Sequence, residues 1–509
     1  MTHFQEIDSL SLLAHKVAAN VFDLSTSQIN VSIRDQMVRA QQLVVDLKAA
    51  DPGARCLLIV GMGVAGMTAA LTASEAGFDQ VYAVETRDMP FALFNGVRSR
   101  FVGPYMYEWP SPFYANQSYP LNRQTPWTIY GKSPLAWRAA RPISAHELGK
   151  RLRSCVRRWR KAFAARACPT PLPVFLVEAD RKGVAAFIKD FARIEAIRAV
   201  QDTAGEARSD KARYEEFGRA REWECGKKSV LPRYIEPDYV ILAAGMGDET
   251  VTVPGVPVAA SAPFWSNDGL KQNAVTGQRV VVLGGGDGAI QDTFRALTEF
   301  DHPVEFIRML EDTPKVRQAL HKQLPTLLSA DRQLRQHTSW ARDSAGFVMV
   351  DRACRLAARE LAKSPSVVKA VLTGIRKGTG EVIHLVRGWY FDKCYLLNRF
   401  LIYLFAECLV TRAVGTKHMG FALVFGREVK QAWKVPSVAG PASWRLEIGH
   451  RRRKHGCTTL INIDELVVRF GIQPGSVPGP RLVQLDDSYP GHRTMLNRVE
   501  LPFVAMRKT

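Results

Sequence analysis

Paired cysteines are missing from this chain: eight are scattered over 509 residues, and no two stand in a C-x-x-C arrangement. That excludes a zinc ribbon and a thioredoxin-type redox pair, and it fits a reducing compartment. A basic segment followed by an apolar one is missing from the start, "MTHFQEIDSLSLLAHK", so no secretory leader is expected and the cytoplasm is the expected location. Acidic residues are the scarcer sign, 49 against 69 lysines and arginines, and the formal charge of +20 favours anionic partners such as nucleotides. None of the 11 histidines has a partner spacing that marks an acid, a base or a ligand, so no metal is expected and the catalytic residues are unknown.

Long apolar runs are also rare. The most apolar, "CYLLNRFLIYLFAECLVTRAVG" at 394–415, is interrupted by Asn398, Arg399 and Glu407, which disfavours a spanning helix. A buried helix is the main reading and peripheral membrane contact the alternative. The helix expected over 144–166, capped by Ser144 and Glu147, carries eight basic residues from Lys150 to Arg166. It reads first as a solvated face. "HRRRKHG" at 450–456 belongs to no recognised nucleic-acid module, so nucleic acid is not an expected partner; a small-molecule substrate is, and oligomeric state is unreadable.

What is present is punctuated by glycine. Apolar "CLLIV" at 56–60 breaks into "GMGVAG", restarts as a helical pattern and returns as "QVYAVE", the order of a strand–helix–strand unit. In this fingerprint Gly61 permits the tight turn, Gly63 lets backbone approach a pyrophosphate, and Gly66 allows the helix to pack against the strand. Glu85, 24 residues after Gly61, is the acid expected to accept from ribose hydroxyls. A second unit begins with "VVVLGGGDGAIQDTFRAL" at 280–297, with Gly284, Gly286 and Ala289 in the three small positions, and "VEFIRML" at 304–310 is expected as its second strand. Counting 24 residues from Gly284 reaches Arg308, a guanidinium where the first unit has a carboxylate. A 2′-phosphate would be repelled by an acid and paired by an arginine, so NADP is favoured at the second turn over NAD.

Three pieces in this order, "GMGVAG" with Glu85, "DYVILAAGMGD" at 238–248, and "LGGGDGAIQD" at 283–292, resemble the two-dinucleotide-binding-domain flavoproteins, the group that contains thioredoxin-reductase-like enzymes and flavin monooxygenases. The resemblance implies FAD on Gly61, Gly63, Val64, Ala65, Gly66 and Glu85, with Ala244 and Gly245 beside it. It implies NAD(P)H on Gly284, Gly286, Asp287, Ala289 and Arg308. Arg98 and Arg100 are candidates for the FAD pyrophosphate. The fold class expected is α/β: two Rossmann-like dinucleotide-binding domains, at 55–262 and 263–390, after a helical extension at 1–54 and before an α+β substrate or FAD-completing region at 391–509. The activity implied is an FAD-dependent oxidoreductase that takes hydride from NAD(P)H and passes it to oxygen or a small organic substrate. The alternatives are a membrane-surface quinone-type dehydrogenase and a nucleotide sensor without turnover. The family's redox dithiol is absent, and its late Gly-Asp turn has only Asp464, without the glycine, as a weak counterpart. Tyr105, Tyr107, Trp109, Phe113 and Tyr114 form an aromatic stretch read either as a pocket wall or as packing.

Overall fold

The computed structural model describes residues 12, 15–25, 32–120, 133–166, 171–202, 220–224, 235–256, 258–336, 345–391, 394–410, 417–436, 443–451, 458–473 and 476. The first sheet is built from β1 (Lys16–Ala18), β2 (Val21–Asp23), β3 (Cys56–Val60) and β4 (Gln80–Val84), joined later by β9 (Val174–Val177), β10 (Arg221–Glu222) and β11 (Tyr239–Leu242). Between them lie helices α1 (Ile33–Ala50), α2 (Val64–Glu75), α3 (Ala145–Ala164) and α4 (Arg181–Asp202), and the short pairs β5 (Phe101–Val102) with β8 (Ile143–Ser144) and β6 (Ser118–Tyr119) with β7 (Trp137–Arg138). The strand order is β1-β2-β11-β3-β4-β9-β10, parallel from β2 to β9 with antiparallel edges. The N-terminal segment, read from sequence as helical only, thus also supplies two strands, because the apolar Val21 and Phe22 extend the sheet beside β11.

Local chemistry explains the helix ends. Ser32 Oγ accepts from the Asp35 N–H at 3.1 Å while Asp35 Oδ2 accepts from the Ser32 N–H at 2.8 Å, a reciprocal cap that starts α1. Met37, Ala40, Leu43, Val44 and Leu47 then fall on one buried face. In α3 the apolar stripe of Leu148, Leu152, Cys155 and Val156 is buried in the first core, so its arginines are the outward face of a packed helix.

The second sheet has β12 (Arg279–Leu283), β13 (Glu381–Val386), β14 (Gly420–Phe425) and β18 (Glu465–Val468), ordered β14-β13-β12-β18 and wholly parallel. Strands from beyond residue 390 therefore complete it. β15 (Arg427–Val435), β16 (Ser443–His450) and β17 (Thr459–Ile463) form an antiparallel sheet beside it. Helices α5 (Asp287–Leu297), α6 (Pro303–Asp312), α7 (Pro314–Gln336), α8 (Ala345–Ala362), α9 (Pro365–Gly374) and α10 (Leu396–Val410) build the largest core around Phe294, Phe306, Phe400 and Phe405. No helix among the described residues is long and apolar enough to cross a membrane. α10, from the most apolar stretch, is buried along most of its length.

One element corrects the sequence reading. "VEFIRML" is helical, within α6, and not the second strand of the second unit. Pro303 occupies the first helical turn, His302 Nδ1 accepts from the Val304 N–H at 3.1 Å, and Glu305 Oε2 accepts from the His302 N–H at 3.2 Å. Val304, Ile307 and Leu310, three residues apart, then share a buried face, a period no strand has. The strand that follows β12 in the sheet comes only at 381, after five helices.

Candidate functional site

The two glycine turns occupy the same place in their sheets. β3 leads on one side to β4, next in the chain, and on the other to β11, so the chain reverses direction across the sheet at β3; β12 does the same between β13 and β18. In open parallel sheets the crevice at the carboxyl ends of such strands is where ligands bind. The Gly61 N–H donates to Val84 O at 2.7 Å, and the Gly284 N–H to Leu385 O at 3.0 Å. The Ala243 N–H donates to Val60 O at 2.7 Å, and the Arg469 N–H to Leu283 O at 2.8 Å. Gly61 and Gly284 both have positive φ, +101° and +139°, and a Cβ on them would lie 2.3 Å from Ala243 O and 2.2 Å from Arg469 O. Each turn is thus forced to glycine by the strand on its far side.

In the first turn the other two glycines differ in kind. A Cβ on Gly66 would stand 1.8 Å from Gly61 O, which makes its smallness a packing requirement. A Cβ on Gly63 would meet nothing within 4 Å, so its smallness serves open space at the start of α2. Gly63 caps α2 without a side-chain bond, and Val64 and Ala65 are part-exposed, leaving first-turn N–H groups facing that space. Glu85 lies at the same mouth: Oε2 accepts from the Met62 N–H and Oε1 from the Arg87 N–H, each at 3.0 Å. Ala244 and the exposed Gly245, with φ +98°, follow β11 on the other side of the turn. The structure brings these predicted residues together around one opening, with carboxylate lone pairs still available.

The second turn is more enclosed. Ala289 is fully buried at the third small position. Gly286 caps α5 with no side-chain bond, yet Asp287 beside it turns its carboxylate inward, accepting from the Tyr395 N–H at 2.8 Å and Asn398 Nδ2 at 2.7 Å. Burial pushes the Asp287 carboxyl up to about 6. Its carboxylate therefore serves the contact with α10 and not the turn mouth. Behind the turn, His384 donates from Nε2 to Gly284 O at 2.7 Å, so its Nδ1 is the acceptor for Thr293 Oγ1 at 3.0 Å. Burial lowers this imidazole to about 4, which keeps it in that neutral tautomer.

Three expected residues sit elsewhere. Arg308 is on α6, where Nη1 donates to Ala140 O at 3.3 Å, so counting from Gly284 does not reach the counterpart of Glu85. Sheet register does: Val60 pairs Val84 and Leu283 pairs Leu385, which makes Val386 the counterpart of Glu85 and the exposed Arg387 the next residue. Arg100 is neither a loop cation nor at the turn. It is 2% exposed and bonded to Asp268 and Asp292 within a buried network that includes Arg295 and Arg469. Arg98 has an exposed side chain, and its N–H donates to Asn267 Oδ1 at 2.7 Å. The network has three guanidiniums for two carboxylates and ties the segment after Glu85 to Arg469, whose carbonyl walls the second turn.

The aromatic stretch is packing. Trp109 stacks on Phe400 at 4.9 Å, Tyr107 stacks on Tyr395 at 4.3 Å, and the Tyr107 hydroxyl accepts from Gln291 Nε2 at 2.6 Å. Tyr114 and Trp109 both bond Glu311 of α6, so this segment seals the helices of the second unit. Asp464 accepts from the Arg279 N–H at 2.8 Å, at the amino end of β12 and away from both turns, which removes it as a flavin ligand. Sequence reading missed "VVRFG" at 467–471, the duplicate of "ILAAG" at 241–245; Gly471, φ +85°, matches Gly245. Phe470 and Trp389, 46% and 47% exposed, follow the two strands that flank the second turn.

Among the described residues no group of histidine, cysteine and acidic side chains could hold a metal ion. The five described cysteines are buried, and none of them is in a disulfide. No protein-family model and no curated protein matches the chain. One solved structure similar to it is the crystal structure of OTEMO in complex with FAD and NADP, at 11% identity over 82% of this chain and 72% of that one. The TM-score is 0.32, and at that level the likeness carries no argument.

Proposed function

We propose that the chain is an FAD-dependent NAD(P)H oxidoreductase, with the adenosine diphosphate part of FAD on the first turn and a nicotinamide nucleotide on the second. The observation that carries this reading is the opening over Gly63, bounded by uncapped N–H groups and by the fixed Glu85 carboxylate. Such an opening offers hydrogen bonds to a pyrophosphate on one side and acceptors for ribose hydroxyls on the other. Val64 and Ala65 present backbone to the phosphates, and Ala244 and Gly245 border the same crevice.

The duplicated turn supports a second nucleotide on Gly284, Gly286 and Ala289. At the ribose position Val386 stands in place of an acid, and Arg387 follows it. A 2′-phosphate meets no acid at the strand position of Glu85 and has the Arg387 guanidinium beside it, which favours NADP over NAD. The exposed Arg387 guanidinium now holds the half-buried Glu428 at 2.8 Å, and Lys430 bonds the same carboxylate at 2.6 Å, so Glu428 keeps a cation when Arg387 turns to a phosphate.

FAD, when bound, supplies the step that accepts hydride from NAD(P)H and delivers it to oxygen or a small organic acceptor. The chain's contribution is to hold the two nucleotides from sheets locked together by the Arg100, Arg295 and Arg469 network. The test is the absorbance spectrum of the purified protein. Flavin bands that bleach with NADPH under anaerobic conditions and return in air are expected. A colourless protein that cannot be reconstituted with FAD overturns the assignment of the first turn, and bound flavin that no NAD(P)H reduces overturns that of the second.

A further inference from the structure

At the opposite end of the second sheet from its glycine turn, two cavities of about 680 and 1070 Å³ meet at Lys377 and His418. They lie where β12, β13 and β14 begin, against Arg279, Glu381 and Gly420, so a strand's length, roughly 15 Å, separates them from Gly284. One wall is apolar, formed by Pro365, Val368 and Leu372 along α9. The remainder carries Lys369, Lys377, Lys417 and His418.

The charges of this groove are not balanced. Its two carboxylates are committed to Arg279: Glu381 Oε2 is 3.1 Å from Arg279 Nε, and Asp464 Oδ2 accepts from the Arg279 N–H at 2.8 Å. Lys363 is held by Glu360. Among the described residues, Lys369, Lys377 and Lys417 have no carboxylate partner. The backbone nonetheless joins the segments that carry two of them, for Lys377 is paired with His418 and the Gly378 N–H donates to Lys417 O at 2.6 Å, and Lys377 and Lys417 both line the larger cavity. Gly378 has φ +157°, and a Cβ there would lie 2.1 Å from Thr276 O, so the loop that presents Lys377 is built for close approach. Ammonium groups gathered around one groove repel one another, and an anion bound among them relieves that repulsion.

We propose that this groove binds a small phosphorylated molecule with an apolar portion, its phosphate between Lys369, Lys377 and Lys417 and its apolar part on Pro365, Val368 and Leu372. The volumes are those of small-ligand sites, in which a few polar groups orient a mostly apolar ligand. The site is separate from both glycine turns and does not depend on the reading of either.

The probes are inorganic phosphate and 1-naphthyl phosphate, with the full chain at physiological salt. Titration calorimetry is expected to show 1-naphthyl phosphate binding at least tenfold more tightly than phosphate, and the Lys377→Gln, Lys417→Gln double variant losing at least tenfold. Both lysines are exposed, so the variant is expected to keep the wild-type melting temperature and flavin content. In acetylation footprinting, the ligand is expected to protect Lys369, Lys377 and Lys417 at least threefold and to leave Lys150 and Lys161 on α3 unprotected. Equal protection of all five lysines, unchanged affinity in the double variant, or equal affinity for the two probes overturns the proposal. Loss of the flavin reading alone leaves these results untouched.

Discussion

Replacing each glycine of the first turn by alanine separates the residues that hold the turn from the one that leaves room for a ligand. In Gly66→Ala the new methyl would lie 1.8 Å from Gly61 O, where contacts below 3.0 Å are not tolerated, so backbone must retreat by roughly 1 Å. The retreating residue is Gly61, whose N–H holds β4 at 2.7 Å. Weakening that bond and overpacking a buried turn cost about 3 kcal/mol together. Gly61→Ala adds the left-handed penalty of about 1–2 kcal/mol to a contact of 2.3 Å with Ala243 O. Gly63→Ala has φ −70° and no neighbour within 4 Å. Losing the glycine cap costs up to about 1 kcal/mol, and the stiffer unfolded chain returns a similar amount. Denaturant melts are therefore expected to rank Gly61→Ala and Gly66→Ala well below wild type and Gly63→Ala within about 1 kcal/mol of it. Flavin content should behave differently. Gly63→Ala, and more so Gly63→Val, places carbon where the pyrophosphate would lie, and is expected to lose flavin from a folded protein. A folded Gly63→Val that retains its full flavin complement would refute the placement.

The buried network offers a second test: Asp292→Ala leaves Arg100 and Arg295 with Asp268 alone and takes from Arg469 its carboxylate, and unfolding is expected to become easier by about 3–5 kcal/mol; a loss under about 1 kcal/mol in a urea melt would contradict the role given to it. His384 makes stability depend on pH. Its folded pKa, lowered to about 4 by burial, lies below the ordinary 6.5, so between those values the unfolded chain binds more protons and stability falls as pH drops through the window. The full contribution is about 3 kcal/mol, and the slope of melting against pH should be shallower in His384→Gln than in wild type; equal slopes would exclude it. Arg387→Ala is expected to raise KM for NADPH about tenfold or more while leaving NADH nearly unchanged, the size of one lost charge-assisted bond. Arg308→Ala should change neither, and steady-state kinetics with both nucleotides checks the pair.

Much of the candidate site was legible because glycine turns are local. "GMGVAG" and "LGGGDGA" announce themselves by a strand before and a helix after, and the caps at Ser32 and Ser144 lie within a few residues of what they cap. The strand at 239–242 and the buried character of α10 were likewise readable from apolar patterning. The reading failed where a residue's partner is set by pairing and not by distance along the chain. Arg308 was found by counting, on the premise that β12 is followed by one helix and a strand. Five helices intervene before β13, and only register shows that Val386 stands where the first sheet has Glu85, with Arg387 next to it.

By itself the sequence determined two glycine turns, the carboxylate that accompanies the first, an α/β chain with excess positive charge and the absence of a dithiol. Each of these is a matter of residue type and short-range spacing. Tertiary structure alone decided that "VVRFG" duplicates "ILAAG", that Arg100 is a buried strut, that the aromatic stretch is packing, and that lysines from distant segments share one groove. Those facts depend on which strands become neighbours and which charges lose water together, and no short-range spacing in the chain encodes them.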